Sequence, residues 1–299
     1  MSSATAFRCG SAALLGRPNA GKSTLLNRLV GERVSGVTHK PQTTRHRVTG
    51  IVQRENGQIV LVDTPGLHRR RDHALNRHLN RVAAESLPGV DLAVLVVDAV
   101  RQTAEDAAAA RAVAQSAVPA VLVFNKIDRL ADRDRLLPLT AEWSEAVDPV
   151  AVFYVSARSG DGIDALVDGL LAHLPEQPAL FPPDAFTTES SRFLASEIVR
   201  EQLLEQLHQE VPYGTTVVVE GFEEADERLR IEARVLVAEQ RHKGIVIGRG
   251  GQSLKRIGTR ARKAMQELFG MPVHLELSIG VERDWVDREP VFERLGYRR

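Results

Sequence analysis

Cysteine is almost missing from the 299-residue chain, with Cys9 its single example. One thiol excludes an intramolecular disulfide and any cysteine-built metal cage, and Cys9 reads as a small buried residue of a first strand. Charge imbalance is missing too, because 39 Lys and Arg offset 39 Asp and Glu. The chain as a whole therefore does not attract polyanions, and a nucleic-acid site must be a local patch. No apolar run approaches the ~18 residues that cross a bilayer. Residues 1–8 lack the apolar core of a signal peptide, so a soluble, cytoplasmic protein is expected. The length allows two domains with separate cores.

What the chain does hold is a set of short segments in a fixed order. Gly16-Arg17-Pro18-Asn19-Ala20-Gly21-Lys22-Ser23 stands between the apolar run Ala12–Leu15 and a helical pattern starting at Thr24. In that strand-loop-helix order the glycines let backbone N–H groups turn inward around an anion, and the helix N-terminus adds partial positive charge. Lys22 can then reach β- and γ-phosphates, and the Ser23 hydroxyl can ligate Mg²⁺. Next, the strand pattern at 58–62 delivers Asp63-Thr64-Pro65-Gly66 at its C-terminal end. There an acidic residue can serve the Mg²⁺ shell and Gly66 can offer its N–H to a γ-phosphate.

A third segment, Asn125-Lys126-Ile127-Asp128, follows the apolar strand 121–124. Asp128, as a buried carboxylate, can accept from the N1–H and 2-amino edge of guanine, which adenine lacks. Ser156-Ala157, closing the strand 150–155, can bracket the guanine oxygen with backbone N–H groups. Each segment alone is an ordinary strand-to-helix turn. All four lie at C-terminal strand ends, where open α/β sheets bind ligands. Near-continuous Val and Leu runs add the expectation of a parallel sheet covered on both faces.

With these motifs, residues 7–174 resemble a small GTPase domain of the translation-factor type. Together with the C-terminal pattern described next, the whole chain resembles the Era family of bacterial GTPases. The fold class expected is a doubly wound α/β P-loop GTPase domain over 1–174, a Pro-rich linker at 175–188, and an α+β type II KH domain with a C-terminal tail over 189–299. The linker assignment rests on four of the fourteen prolines falling in the nine residues 175–183, which suits neither helix nor central strand.

Beyond the linker come a helix over 190–209, strands at 215–221 and 228–238, a glycine turn, a helix to 269 and a strand at 273–279. That order, with Gly248-Arg249-Gly250-Gly251 as its turn, resembles a type II KH domain. Charge agrees: residues 187–239 hold 12 acids against 5 cations, whereas 240–264 hold 8 Lys and Arg and no acid. Lys243, Arg249, Lys255 and Arg256 surround the turn, where backbone can approach the phosphates of single-stranded RNA. Ile245, Val246 and Ile247 form an apolar floor for bases, at least one of them being plain core instead.

The resemblance implies more. The polar loop over 31–47 would be a first switch whose threonine completes the Mg²⁺ sphere. The sequence leaves Thr43 and Thr44 both open, with Thr44 preferred. Lys22, Thr44 and Gly66 would then carry catalysis. Leu67 stands where many GTPases place a water-orienting glutamine, and a leucine cannot hydrogen-bond water, so intrinsic hydrolysis should be slow. A K⁺ held with the help of Asn19 could supply charge between the phosphates. The histidines at 68, 73 and 78 lack the i, i+4 spacing of a helical metal pair and read as part of a second switch. By resemblance the partner is small-subunit ribosomal RNA near its 3′ end, bound by a monomer that acts in small-subunit assembly. Peripheral association with the inner face of the cell membrane also comes with the resemblance. A nucleotide-gated RNA chaperone with negligible turnover is the competing reading, and Leu67 is its main support.

Overall fold

The computed structural model describes residues 6–66, 73–225 and 227–297. They form two compact units: residues 6–35, 44–66 and 79–188 make the first, and residues 36–43, 73–78, 189–225 and 227–297 the second.

The first unit is built on a six-stranded sheet. In chain order come β1 (Arg8–Leu15), α1 (Lys22–Val30), β2 (Val48–Arg54), β3 (Gly57–Asp63), α2 (Ala74–Glu85, of which 79–85 belong to this unit), β4 (Leu92–Asp98), α3 (Ala104–Ala114), β5 (Ala120–Asn125), α4 (Leu136–Val147), β6 (Ala151–Val155) and α5 (Ile163–Ala172). The strand order is β2-β3-β1-β4-β5-β6. β3, β4 and β5 are buried along their whole length, as the Val and Leu runs require. The sheet is parallel, as expected, except at one edge. β2 runs antiparallel to β3, because the two residues between them can close a hairpin but not a crossover.

The Pro-rich stretch is seated on this sheet. Cys9 N–H donates to Pro175 O at 3.0 Å, and Ile51 N–H donates to Phe186 O at 2.8 Å. The buried Gln58 carboxamide donates to Phe181 O at 2.9 Å and accepts from the N–H groups of Leu180 and Phe181. A bridge between Gly50 and Thr187 extends the antiparallel edge.

The second unit contains α6 (Ser191–Gln206), β7 (Thr215–Ala225), β8 (Arg228–Val237), α7 (Gln240–Ile247), α8 (Gln252–Phe269), β9 (Val273–Val281) and α9 (Glu289–Arg294). Its sheet order is β7-β8-β9, with β7 antiparallel and β9 parallel to β8. Ile198 and Leu203 of α6, Ile231 and Val235 of β8, and Ile257 and Met265 of α8 share one core. Residues 240–247, read from sequence as the approach to a turn, form the helix α7. On α6, Arg200 and Glu197 make a buried ion pair, 2.7 Å from Nε to Oε1. The same guanidinium donates to the carbonyls of Gln42, at 3.3 Å, and Thr43. No helix among the described residues is long and apolar enough to cross a membrane.

Candidate nucleotide and RNA sites

Residues 16–23 run from the end of β1 into α1, so the first N–H groups of α1 open onto the loop. Gly21 caps the helix and Thr24 lies on its first turn. Lys22 is buried and folds back over the loop, donating to Gly16 O at 3.1 Å and Arg17 O at 3.0 Å. Burial lowers its pKa from 10.5 to about 8; Asp63 opposes this shift and Arg17 adds to it. An ammonium held only by carbonyls gains a better partner when phosphate oxygens arrive.

A second cluster gathers on Asp63 at the end of β3. Its Oδ2 accepts from Ser23 at 2.6 Å, Ser35 at 3.0 Å and Thr44 at 3.2 Å, and the Ser23 and Thr44 hydroxyls lie 2.7 Å apart. Its Oδ1 is buried and has no hydrogen-bond partner among the described residues. Burial raises the Asp63 pKa, against the charge of Lys22 and the three hydroxyls. A desolvated carboxylate ringed by hydroxyl oxygens fits a hard divalent cation. Among the described residues no group of three or more His, Cys, Asp or Glu could hold a metal, so such a cation would draw on phosphate oxygens and water as well. Of the two threonines, Thr44 joins this cluster, whereas Thr43 bonds to Thr38 and to Lys40 O, each at 2.7 Å.

The Thr64 hydroxyl is committed to Leu14 O at 2.8 Å, tying β3 to β1, so this side chain serves the fold. Pro65 is buried beside it, and Gly66 follows hard against the phosphate loop. A Cβ at Gly66 would come within 2.6 Å of Pro18 N, which only glycine avoids. Leu67 and the polar run to Asp72 lie outside the described residues.

Asn125 joins the phosphate loop to the guanine segments. Its Nδ2 donates to Ala20 O at 3.0 Å, and its Oδ1 accepts from the Ala157 N–H at 3.0 Å and the Lys126 N–H at 2.8 Å. Lys126 reaches over to Asn19 O at 2.6 Å. The Asp128 carboxylate, expected to be buried, is exposed, and the buried Ser156 hydroxyl donates to its Oδ1 at 2.7 Å.

In the second unit, Gly248–Gly251 link α7 to α8. Gly248, Gly250 and Gly251 have φ of 72°, 58° and 77°, and a Cβ on Gly250 or Gly251 would meet nothing within 4 Å. The backbone there is open to a ligand. Arg249, Lys255 and Arg256 are exposed and make no ion pair among the described residues; Lys243 is half-buried. Ile245 is 51% exposed and Ile247 half-buried, whereas Val246 is fully buried in the core. Val246 is therefore removed from the RNA-facing set, since the inward face of α7 packs on the sheet.

Residues 11–126 match the family described as 50S ribosome-binding GTPase, and residues 210–286 match the KH domain family. GTPase Era of Xanthomonas axonopodis pv. citri (strain 306) is 51% identical over 290 residues, covering 97% of each chain. The chain belongs to the Era family of GTPases. GTPase Era of Stenotrophomonas maltophilia (strain R551-3) is 49% identical over 99% of this chain and 100% of its own. Among solved structures, a variant of Aquifex aeolicus Era bound to GDP·AlF4⁻ superposes with a TM-score of 0.92 at 34% identity, covering 97% of this chain and 99% of that one. A structure of Era in complex with MgGDPNP and nucleotides 1506–1542 of 16S ribosomal RNA matches with the same score, identity and coverage.

As an Era-family GTPase the protein binds GTP and hydrolyses it to GDP and phosphate. Sequence reasoning missed two residues that shape the site. Ser35 lies in a segment without periodicity, and it reaches Asp63 because Asn27 Oδ1 accepts the N–H groups of Val34 and Ser35, each at 3.0 Å. Arg28, an apparently ordinary helix residue, fastens the guanine loop by donating to Ala157 O at 3.1 Å and Arg158 O at 2.6 Å.

Proposed function

We propose that this protein is a GTP-driven switch whose KH part, within 189–299, binds single-stranded small-subunit ribosomal RNA near its 3′ end, and that it acts in assembly of the small ribosomal subunit. The observation that carries the RNA part is the glycine turn 248–251, open at Gly250 and Gly251, with the unpaired cation Arg249 in it and Lys255 and Arg256 beside it, on a chain whose other part, within 1–174, holds a nucleotide site. The 16S fragment held by the Era of known structure supports the choice of RNA.

In this reading residues 16–24 and 63–66 cradle the phosphates, and Asn125, Lys126, Asp128, Ser156 and Ala157 hold guanine. Water attacks the γ-phosphate while Lys22 and the Gly66 N–H neutralise developing charge. Ser23, Thr44 and Asp63 would hold Mg²⁺, which would supply Lewis-acid stabilisation of the developing charge. The Thr44 hydroxyl, bonded here to Asp63, would be the contact that reports the γ-phosphate to the rest of the chain. K⁺ beside Asn19 belongs to the same reading and predicts faster turnover in K⁺ than in Na⁺. The protein works as a cytoplasmic monomer, where GTP and ribosomal subunits are found.

Crosslinking in cells followed by RNA sequencing tests the target. Reads concentrated at the 3′ end of small-subunit RNA are expected, and reads spread over messenger or large-subunit RNA would reject it.

A further inference from the structure

Asp98, the last residue of β4, belongs to none of the nucleotide motifs, yet two of them converge on its carboxylate. Oδ2 accepts from Lys126 Nζ at 2.7 Å and from the Arg17 guanidinium at 3.1 Å. Oδ1 accepts the Val100 N–H at 3.0 Å and, less closely, the Arg101 N–H at 3.4 Å. Arg17 is the second residue of the phosphate loop, and Lys126 the second of the guanine segment. β4 lies between β1, which launches the first, and β5, which launches the second. A carboxylate at the end of β4 is thus equidistant in topology from both.

The group is set firmly. Only 8% of the Asp98 side chain and 12% of the Arg17 side chain are exposed. Arg17 has a second anchor, since its Nε donates at 2.8 Å to Asp106, a fully buried carboxylate that also receives the Thr103 N–H at 2.8 Å. Lys126 has no second carboxylate among the described residues; its other bond is the one to Asn19 O. Two cations and two carboxylates balance, but they divide unequally. Losing Asp98 leaves Arg17 paired and Lys126 not.

We propose that Asp98 is a positioning residue for nucleotide binding, which holds Lys126 across the phosphate loop and so locks the guanine segment to residues 17–19. Burial alone would raise its pKa, but the hydrogen bond and charge of Lys126, the Val100 N–H and the charge of Arg17 together more than reverse that, so the carboxylate stays ionised at neutral pH. Because Lys22, Ser23 and Asp63 do not touch Asp98, and Arg17, whose carbonyl takes Lys22, keeps its Asp106 anchor, its loss should weaken binding and spare the chemical step. The inference rests on the assignment of Lys126 and Asp128 to guanine.

The test compares Asp98→Asn with the unaltered protein by fluorescent GDP binding and steady-state hydrolysis. The isosteric amide has no charge and only one acceptor oxygen, so it cannot serve both the two cations and the Val100 N–H. GDP affinity should fall by about tenfold or more, KM for GTP should rise in parallel, and kcat should stay within about threefold. In a Lys126→Met background the same change should cost less than about threefold further, because the partner is already gone. Asp106→Asn, which touches Arg17 but not Lys126, should change GDP affinity less than about threefold. Asp98→Ser, whose hydroxyl can still accept the Val100 N–H, repeats the test should the amide variant not fold. Loss of the folded state in both variants would assign Asp98 to the fold alone and overturn the proposal. So would unchanged GDP affinity, a fall in kcat at fixed KM, or a full loss in the Lys126→Met background. Unaltered protein that binds ADP as well as GDP would instead overturn the guanine assignment beneath it.

Discussion

The Ser156 hydroxyl donates to the Asp128 carboxylate at 2.7 Å, so a buried residue of one loop aims an exposed acid of another. Two acceptor oxygens are thereby presented at the edge of the proposed base site. Asp128→Asn replaces one acceptor with a donor and cannot take both guanine N–H groups. Preference should pass from GTP to xanthosine triphosphate by about tenfold or more in competition binding. Undiminished GTP affinity would contradict the guanine assignment.

Thr44 and Thr43 are adjacent but serve different partners, the Asp63 cluster for one and the turn at Lys40 for the other. Thr44→Val should lower Mg²⁺-dependent hydrolysis by about tenfold or more and leave GDP affinity nearly unchanged, because its hydroxyl is needed only with the γ-phosphate. Thr43→Val should stay within about threefold. Single-turnover rates distinguish the two, and the reverse order would reassign the switch threonine.

Lys22 links nucleotide-free stability to pH. Its folded pKa is about 8 against 10.5 unperturbed. Between these values the folded protein has shed a proton that the unfolded chain still carries, so stability rises as pH rises through that window. The gain is about 3 kcal/mol at most. Lys22→Met should fold cooperatively, lack hydrolysis, and show no such rise in denaturant titrations at pH 7, 8 and 10. A variant less stable than the unaltered protein at pH 7 would show that Lys22 serves the core.

Arg200 and Glu197 are both nearly fully buried, and Arg200 also satisfies two backbone carbonyls in 36–43. Arg200→Met removes the buried cation paired with Glu197 and should cost about 3 kcal/mol in urea unfolding. Adding Glu197→Met should recover most of that loss, but not the part owed to the carbonyls of Gln42 and Thr43. A double variant no more stable than the single one would refute the pairing.

The nucleotide motifs were legible because each needs particular residue types at fixed spacing, and strand ends put them together. Thr44 could be preferred but not decided, since nothing in a loop without periodicity says which hydroxyl turns inward. The antiparallel direction of β2 is set by the length of a turn rather than by its apolar pattern. α7 was hidden because Gly244 and three β-branched residues lower helix propensity, and the packing of Val246 outweighs it. Distant side chains decided the rest: Gln58 seats the Pro-rich stretch, Ser35 joins Asp63, and Asp98 gathers Arg17 and Lys126. None of these pairings leaves a local mark in the sequence.

One chain carries two separable sites, and a double substitution in the glycine turn separates them. Arg249→Asp with Gly250→Asp shifts the open turn by three negative charges, two from the reversal and one from the added acid. Position 250 can take the acid, because its Cβ would meet nothing within 4 Å and Asp tolerates the left-handed backbone found there. Binding of single-stranded RNA from the small-subunit 3′ end and GTP hydrolysis are then measured on the same preparation at physiological salt. RNA affinity should fall by about tenfold or more while basal hydrolysis stays within about twofold. RNA binding that survives the double change would contradict the account.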